Sequence, residues 1–224
     1  MPRIDSEDAF ERIFSAGNLW RICRSEDAYT VLRREAAVGD DEPFAMMARS
    51  YLKDVEFPVR PETTEDREAI RYVNQEAFGG DAEAKLVDDL RDGGFVESSL
   101  VVENEGKVIA HILFSRVTIT TKSGTVDAVS LAPMAVLPKH QRKGIGTRLL
   151  WAGLDACRKR GHRIVLVLGH PDFYREFGFS AKLAQRLESP FGGGEAWMAL
   201  EIVPDATKGV EGRVEFSPPF SVFE

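Results

Sequence analysis

The sequence predicts an α/β chain of the α+β kind, with a mixed, mostly antiparallel central sheet flanked by helices and a helical arm in front. Three observations carry that expectation. In residues 1–56 apolar side chains recur at three-to-four spacing behind acidic starts, without a strand pattern. From residue 57 onward, helical periods alternate with β-rich apolar runs. Three strand-like runs then follow one another with only short turn signals between them, the pattern of an antiparallel meander.

Taken in order, "SEDAFERIF", "SEDAYTVLRREAA" and "DEPFAMMARSYL" read as short amphipathic helices separated by "SAGN" and "VGDD". No chemical motif lies among them, so residues 1–56 form an arm whose expected role is packing or homodimer contact. Residues 57–224 form the main domain. "FPVRP" is a short strand, and "TTEDREAIRYVNQEAF" a helix capped by Thr63 or Thr64, with Ile70, Val73 and Ala77 on one face. "DAEAKLVDDLRDGG" is a second helix, capped by Asp81 and closed by Gly93 and Gly94. The strands "SSLVVENEG", "KVIAHILFSRVTIT" and "GTVDAVSLAPMAVLP" follow. A long helix, "GIGTRLLWAGLDACRKRG", precedes the apolar run "RIVLVLG" and a short helix and turn, "HPDFYREFGF". "AWMALEIVP" is the last clear strand, and "GRVEFSPPF" is an edge strand or an extended tail.

Composition narrows the function classes. The net charge of −7 argues against a general affinity for nucleic acid. No apolar run approaches the roughly 20 residues that cross a bilayer, and the acidic start resembles neither a signal nor a transit peptide. A cytoplasmic protein is expected. Cys23 and Cys157 belong to no CxxC pair, so neither a disulfide framework nor a metal site is expected. Cys157 follows Leu150 and Leu154 at helical spacing and is expected in the core.

The densest basic cluster is "LPKHQRKGIG", residues 137–146. A strand, a glycine-containing turn and a long helix in that order create an anion site. Backbone N–H groups in a helix's first turn lack intrahelical partners, and the helix dipole favours negative charge there. Gly144 and Gly146 clear side chains from those donors, while Lys139, Arg142 and Lys143 add positive charge. Neither the G-x-x-x-x-G-K-[ST] loop nor the G-x-G-x-x-G fingerprint is present, since Leu149 stands where the third glycine would be. On these residues alone, a polar turn at a helix start remains an equal reading.

The wider spacing adds a resemblance. Gln141-Arg142-Lys143-Gly144-Ile145-Gly146 after "LAPMAVLP" resembles the [QR]-x-x-G-x-[GA] signature of the GCN5-related N-acetyltransferase (GNAT) superfamily. "FYREFGF" resembles the Tyr-x-x-x-Gly-Phe motif of the same family. The likeness spans residues 57–203, and the wording "LGHPDFYREFGF" resembles a bacterial subgroup of N-acetyltransferases. The approach to the tyrosine departs from the family, whose usual Asn-rich segment is replaced by "LGHPDF".

That resemblance implies a GNAT-type fold in which the strand before the loop splays from its neighbour. Met134, Ala135 and Val136 would then pair with the pantetheine arm of acetyl-CoA, and Gln141, Arg142, Lys143, Gly144, Ile145, Gly146 and Thr147 would hold its pyrophosphate. Lys139 or Arg142 would meet the outer phosphate. Tyr174 is implied as the general acid for the leaving thiolate, and the backbone N–H of Met134 as the donor to the thioester oxygen. The acceptor would be a primary amine of a small molecule or peptide, and the acidic balance of the chain suits a cationic one. No metal is implied. The general base is unassigned, because the strand offers Asp127 and Ser130 but no Glu. His111 has the right chemistry, yet a histidine hydrogen-bonded within the sheet is the stronger reading. His170, before Pro171, is expected to organise the turn. A non-catalytic acyl-CoA sensor, with the arm as its partner-binding element, is the competing function.

Overall fold

The computed structural model describes residues 57–223; the helices expected in residues 1–56 lie outside them. Val59–Glu224 forms one compact unit. Its strands are β1 (Val59–Pro61), β2 (Val96–Asn104), β3 (Lys107–Thr121), β4 (Gly124–Val136), β5 (Ile164–Leu168), β6 (Leu187–Glu188), β7 (Trp197–Glu201) and β8 (Gly212–Phe216). The helices are α1 (Arg67–Phe78), α2 (Ala82–Asp92), α3 (Ile145–Lys159), α4 (Pro171–Tyr174) and α5 (Ala181–Ala184).

The sheet runs β1-β2-β3-β4-β5-β7. It is antiparallel throughout, except where β4 meets β5 and β6 meets β8. The meander β2-β3-β4 is therefore present as the sequence predicts. "GRVEFSPPF" is more than an edge. Pairing between β2 and β3 ends with Val96 opposite Ser115, leaving the second half of β3 without a neighbour on the side away from β4. β8 fills that gap along Val117–Thr121 and pairs with β6 on its other side. α5 and β6 escaped the sequence reading because four and two residues are too few to show a period.

Local chemistry explains the helix ends. Thr63 and Asp66 form a reciprocal capping box ahead of α1, with Thr63 N donating to Asp66 Oδ2 at 2.7 Å. Asp81 holds the N-cap position of α2, but its side chain accepts from Gln75 Nε2 and does not cap the helix. α1 lies over β3 and β4 on one face of the sheet, and α3 packs on the other against β2 and β3. Phe114 marks the α3 face, since its ring fills the space beside Gly153. Cys157 is fully buried in α3, as expected, and burial pushes its thiol up to about 12.

Candidate active site

β4 and β5 share only two rungs, Val129 with Val165 and Ser130 with Leu166. Beyond them β4 continues to Val136 while β5 turns to β7 alone, so a wedge-shaped slot opens between the two strands. On the other side β4 stays paired to β3, with Met134 opposite Ile112, Ala135 opposite His111 and Val136 opposite Ala110. The register between Ile112/Met134 and Phe114/Leu131 leaves Ala132 and Pro133 as a bulge in β4.

Strand geometry then decides which backbone groups face the slot. Leu137 N–H donates to Ile109 O at 3.0 Å. Amide direction alternates along a strand, so Ala135 also points to β3, while Met134 and Val136 point into the slot. Of the three residues expected to meet the cofactor through their backbones, Ala135 is turned away. Val136 O already accepts from the side chain of Gln141 at 3.0 Å. Met134 N–H, Met134 C=O and Val136 N–H are left on the slot edge.

The loop after β4 closes as a short 3-10 turn, Pro138–His140, and then opens. Arg142 and Gly144 take left-handed φ values of 59° and 79°, the second of which places a glycine at the N-cap of α3. The first intrahelical bond of α3 is Arg148 N–H to Gly144 O, so the N–H groups of Ile145, Gly146 and Thr147 have no partner within the helix. Lys139, Arg142 and Lys143 are exposed around them. Their field is felt locally: His140 is held below the usual histidine range first by burial and then by Lys143 and Lys139, against Glu105. Gln141 does not stand free. Its backbone N–H donates to Pro138 O and its side chain to Val136 O, so it braces the loop against the end of β4.

Tyr174 ends α4, just after β5 on the other arm of the wedge. Its ring is 8% exposed and packs edge-on against Phe173, at 5.1 Å between centroids, and Phe179, at 5.5 Å. Burial pushes its phenol well above the ordinary range, so the hydroxyl keeps its proton. Phe173 also approaches the phosphate loop, because a Cβ added at Gly146 would lie 3.7 Å from its Cζ. α4 and the first turn of α3 are therefore neighbours. His170 precedes α4 as expected, its carbonyl accepting from Phe173 N–H and Tyr174 N–H.

The base candidates separate cleanly. Asp127 is exposed and seven residues before Met134, roughly 20 Å along the strand. Ser130 is buried on the last shared rung, at the apex of the wedge. His111 is fully buried and both ring nitrogens are engaged. Nε2 lies 2.9 Å from Ser99 Oγ, which itself donates to Glu62 Oε2 at 2.5 Å. Asn74 Nδ2 lies 3.2 Å from Nδ1. A carboxylate only accepts, so Ser99 receives its own bond from His111 Nε2–H, and Nδ1 accepts from Asn74. Burial drives His111 down to about 4, with Glu62 opposing and Arg91 assisting. It is a neutral histidine within the sheet, closed to the slot.

Arg91 completes this cluster through Nε and Nη2 bonds to Glu62 of 2.8 and 3.0 Å. Burial resists ionisation of Glu62, but Arg91 and Ser99 prevail and hold its carboxyl below the usual range. Glu62, Asn74, Arg91 and Ser99 carried no signal in the sequence, because their contacts with one another and with His111 are mostly 12 to 37 residues apart. Among the described residues, no group of three His, Cys, Asp or Glu side chains is placed to hold a metal ion, and no helix is long and apolar enough to cross a membrane.

Comparison with known proteins points the same way. The model of the acetyltransferase (GNAT) domain family matches residues 58–181. The N-acetyltransferase YhbS of Escherichia coli, described as uncharacterised, is 35% identical over 167 residues, which are 74% of this chain and 99% of that protein. The structure of YhbS in complex with CoA superposes with a TM-score of 0.70 at 33% identity, covering 75% of this chain and 94% of that one. A GNAT family acetyltransferase from Brucella melitensis, in complex with acetyl-CoA, gives a TM-score of 0.62 at 32% identity, covering 73% and 97%.

Proposed function

The chain belongs to the GNAT acetyltransferase family, and from that premise we propose that it moves the acetyl group of acetyl-CoA directly onto a primary amine of a small molecule or peptide. The observation that carries this reading is the wedge itself. A strand edge with unpaired amide groups runs straight into a helix N-terminus ringed by Lys139, Arg142 and Lys143. An extended amide-bearing arm that ends in a pyrophosphate matches that sequence of donors. The relatives from E. coli and B. melitensis, solved with CoA and acetyl-CoA, support the same donor here.

In this proposal Met134 and Val136 pair with the pantetheine arm and the amides from Arg142 to Thr147 hold the pyrophosphate. Gln141 keeps the loop in shape, and Lys139 or Arg142 meets the outer phosphate. Met134 N–H donates to the thioester oxygen, where negative charge grows during attack. The amine arrives as the free base after giving its proton to water, since His111 is sealed. Its lone pair forms the C–N bond, and the C–S bond breaks as Tyr174 gives its proton to the departing thiolate. The proton that the nitrogen sheds on becoming an amide passes through water to restore the phenol. Burial keeps that proton on the phenol in the resting enzyme.

Calorimetry with acetyl-CoA, followed by a CoA-thiol release assay over a panel of amines, tests the reading. Binding with amine-dependent release is expected, and Tyr174→Phe should lower kcat about 100-fold with acetyl-CoA affinity kept. Absence of acetyl-CoA binding would overturn the proposal. Binding without release for every amine would instead make the chain an acyl-CoA sensor.

A further inference from the structure

We propose that Gly169 is a positioning residue for Tyr174: the bare Cα of Gly169 is the surface on which the tyrosine ring rests, and any side chain there displaces the phenol from the slot. The inference builds on the reading of Tyr174 as the proton donor. It concerns a residue that belongs to neither the phosphate loop nor the Tyr-x-x-x-Gly-Phe motif.

The steric observation is direct. A Cβ built on Gly169 would overlap Tyr174 Cε2 and lie 3.1 Å from Cδ2 and 3.4 Å from Cζ. Real Cβ atoms do not approach a ring carbon that closely, so either the ring or the backbone at residue 169 has to move. Neither has room. Gly169 N–H donates to Ala196 O at 3.0 Å, which ties the backbone to the segment entering β7. Tyr174 is confined by the edge-on contacts with Phe173 and Phe179. Its own N–H is held by His170 O at 3.2 Å, and its carbonyl accepts from Phe179 N–H at 3.3 Å. The next residue, Arg175, forms an ion pair with Glu195, adjacent to Ala196. The backbone of Tyr174 is thus fixed at both ends, and Gly169 fixes the plane of its ring.

Backbone conformation does not explain the glycine. Gly169 is not among the residues with positive φ, so its conformation is open to an L residue. The requirement comes from the ring alone. A mispositioned donor lowers the chemical step while leaving substrate contacts elsewhere in place, since an ångström of displacement is enough to lose proton transfer geometry.

The test uses Gly169→Ala in the full chain. With the best amine from the release panel, kcat should fall 10- to 100-fold while the acetyl-CoA dissociation constant stays within about threefold. Combining Gly169→Ala with Tyr174→Phe should lower kcat no further than Tyr174→Phe alone, because both remove the same event. The buried phenol should also become easier to ionise, so the alkaline limb of kcat moves to lower pH. Ultraviolet titration of the phenol, taken as the difference from Tyr174→Phe, reads that shift without any acceptor. If Gly169→Ala folds poorly, adding Tyr174→Ala removes the ring in the way and should raise the melting temperature above that of the single variant. A Gly169→Ala enzyme with wild-type kcat and an unshifted phenol titration overturns the inference, as does a double alanine variant with no recovery. Full kcat in Tyr174→Phe would instead remove the catalytic reading of Tyr174, leaving the packing claim to the titration and the melting data.

Discussion

The phosphate loop follows the end of β4 whose Ala135 lies opposite His111, yet the loop and the polar cluster around His111 use polar groups in opposite ways. Around Gly144–Thr147, backbone donors are left unpaired and the cationic side chains stand in water. Around His111, polar side chains meet one another inside the fold, in the order Arg91, Glu62, Ser99, His111, Asn74. A buried polar group without a partner is costly, so donors meant for a ligand survive only where water can serve them meanwhile. The lesson concerns access. His111 has suitable chemistry for a base and stands opposite Ala135, between the slot-facing Met134 and Val136, but the hydrogen bonds on both ring nitrogens make it part of the architecture.

The sharpest way to break that contrast is to remove the carboxylate of Glu62. Arg91 is 11% exposed and would keep only Asp88, at 2.9 Å, while Ser99 would lose its acceptor. Breaking a largely buried ion pair from one side destabilises by about 3–5 kcal/mol. Urea melts of Glu62→Ala should show a loss in that range, with acetyl-CoA affinity in the folded fraction close to wild type. A small stability loss accompanied by weakened binding would mean that cluster and slot are a single functional unit.

Acid should find the same cluster through His111. Its folded value of about 4 lies below the ordinary 6.5, so between those limits the unfolded chain binds a proton that the native state refuses. Stability is therefore fully present above about pH 6.5 and falls as pH drops toward 4. The full shift is worth on the order of 3 kcal/mol. Protonation would also set Nδ1–H against the Asn74 amide hydrogen, donor against donor. Glu62 contributes in the same direction at lower pH, since its depressed carboxyl loses its partners once protonated. His111→Gln keeps a donor and an acceptor without the titration. Melts from pH 7.5 to 4.5 should show a shallower decline for that variant, and an equal slope would place the acid sensitivity elsewhere.

Much of this arrangement was legible in the sequence because it is local. The meander showed in alternating residues with turn signals, and the anion loop in ten consecutive residues ending at Gly146. The aromatic motif around Tyr174 was equally contiguous. Features set by distant contacts were silent. Nothing near Ser115 announces that β2 stops opposite it and that β8, about a hundred residues later, continues the pairing. Gln141 reads as a cofactor contact until its amide is found on Val136 O. Ala135 reads like its neighbours until the bond from Leu137 to Ile109 fixes the direction of the amides back to Met134, where the bulge begins. Spacing identifies which residues face the same way, whereas the hydrogen bond decides which way that is.

The loop supplies the mirror image of the Glu62 experiment, in which a carboxylate is added instead of removed. A methyl at Gly146 would sit 3.7–4.0 Å from Phe173, Met134 and Val136, an ordinary contact, so Gly146→Ala should keep both stability and acetyl-CoA affinity within a few-fold. Gly146→Glu carries a negative charge and four more heavy atoms than alanine into the same space, beside the N–H groups that lack helical partners. Its carboxylate competes for those donors and repels a pyrophosphate. Affinity by calorimetry should fall at least 100-fold, about 2.7 kcal/mol. The helix dipole favours an acidic residue in this first turn, so the melting temperature should hold or rise. Binding lost with folding intact would set the loop apart from the cluster, where folding is lost with binding intact. If Gly146→Glu still binds acetyl-CoA like wild type, the pyrophosphate does not lie on this helix end.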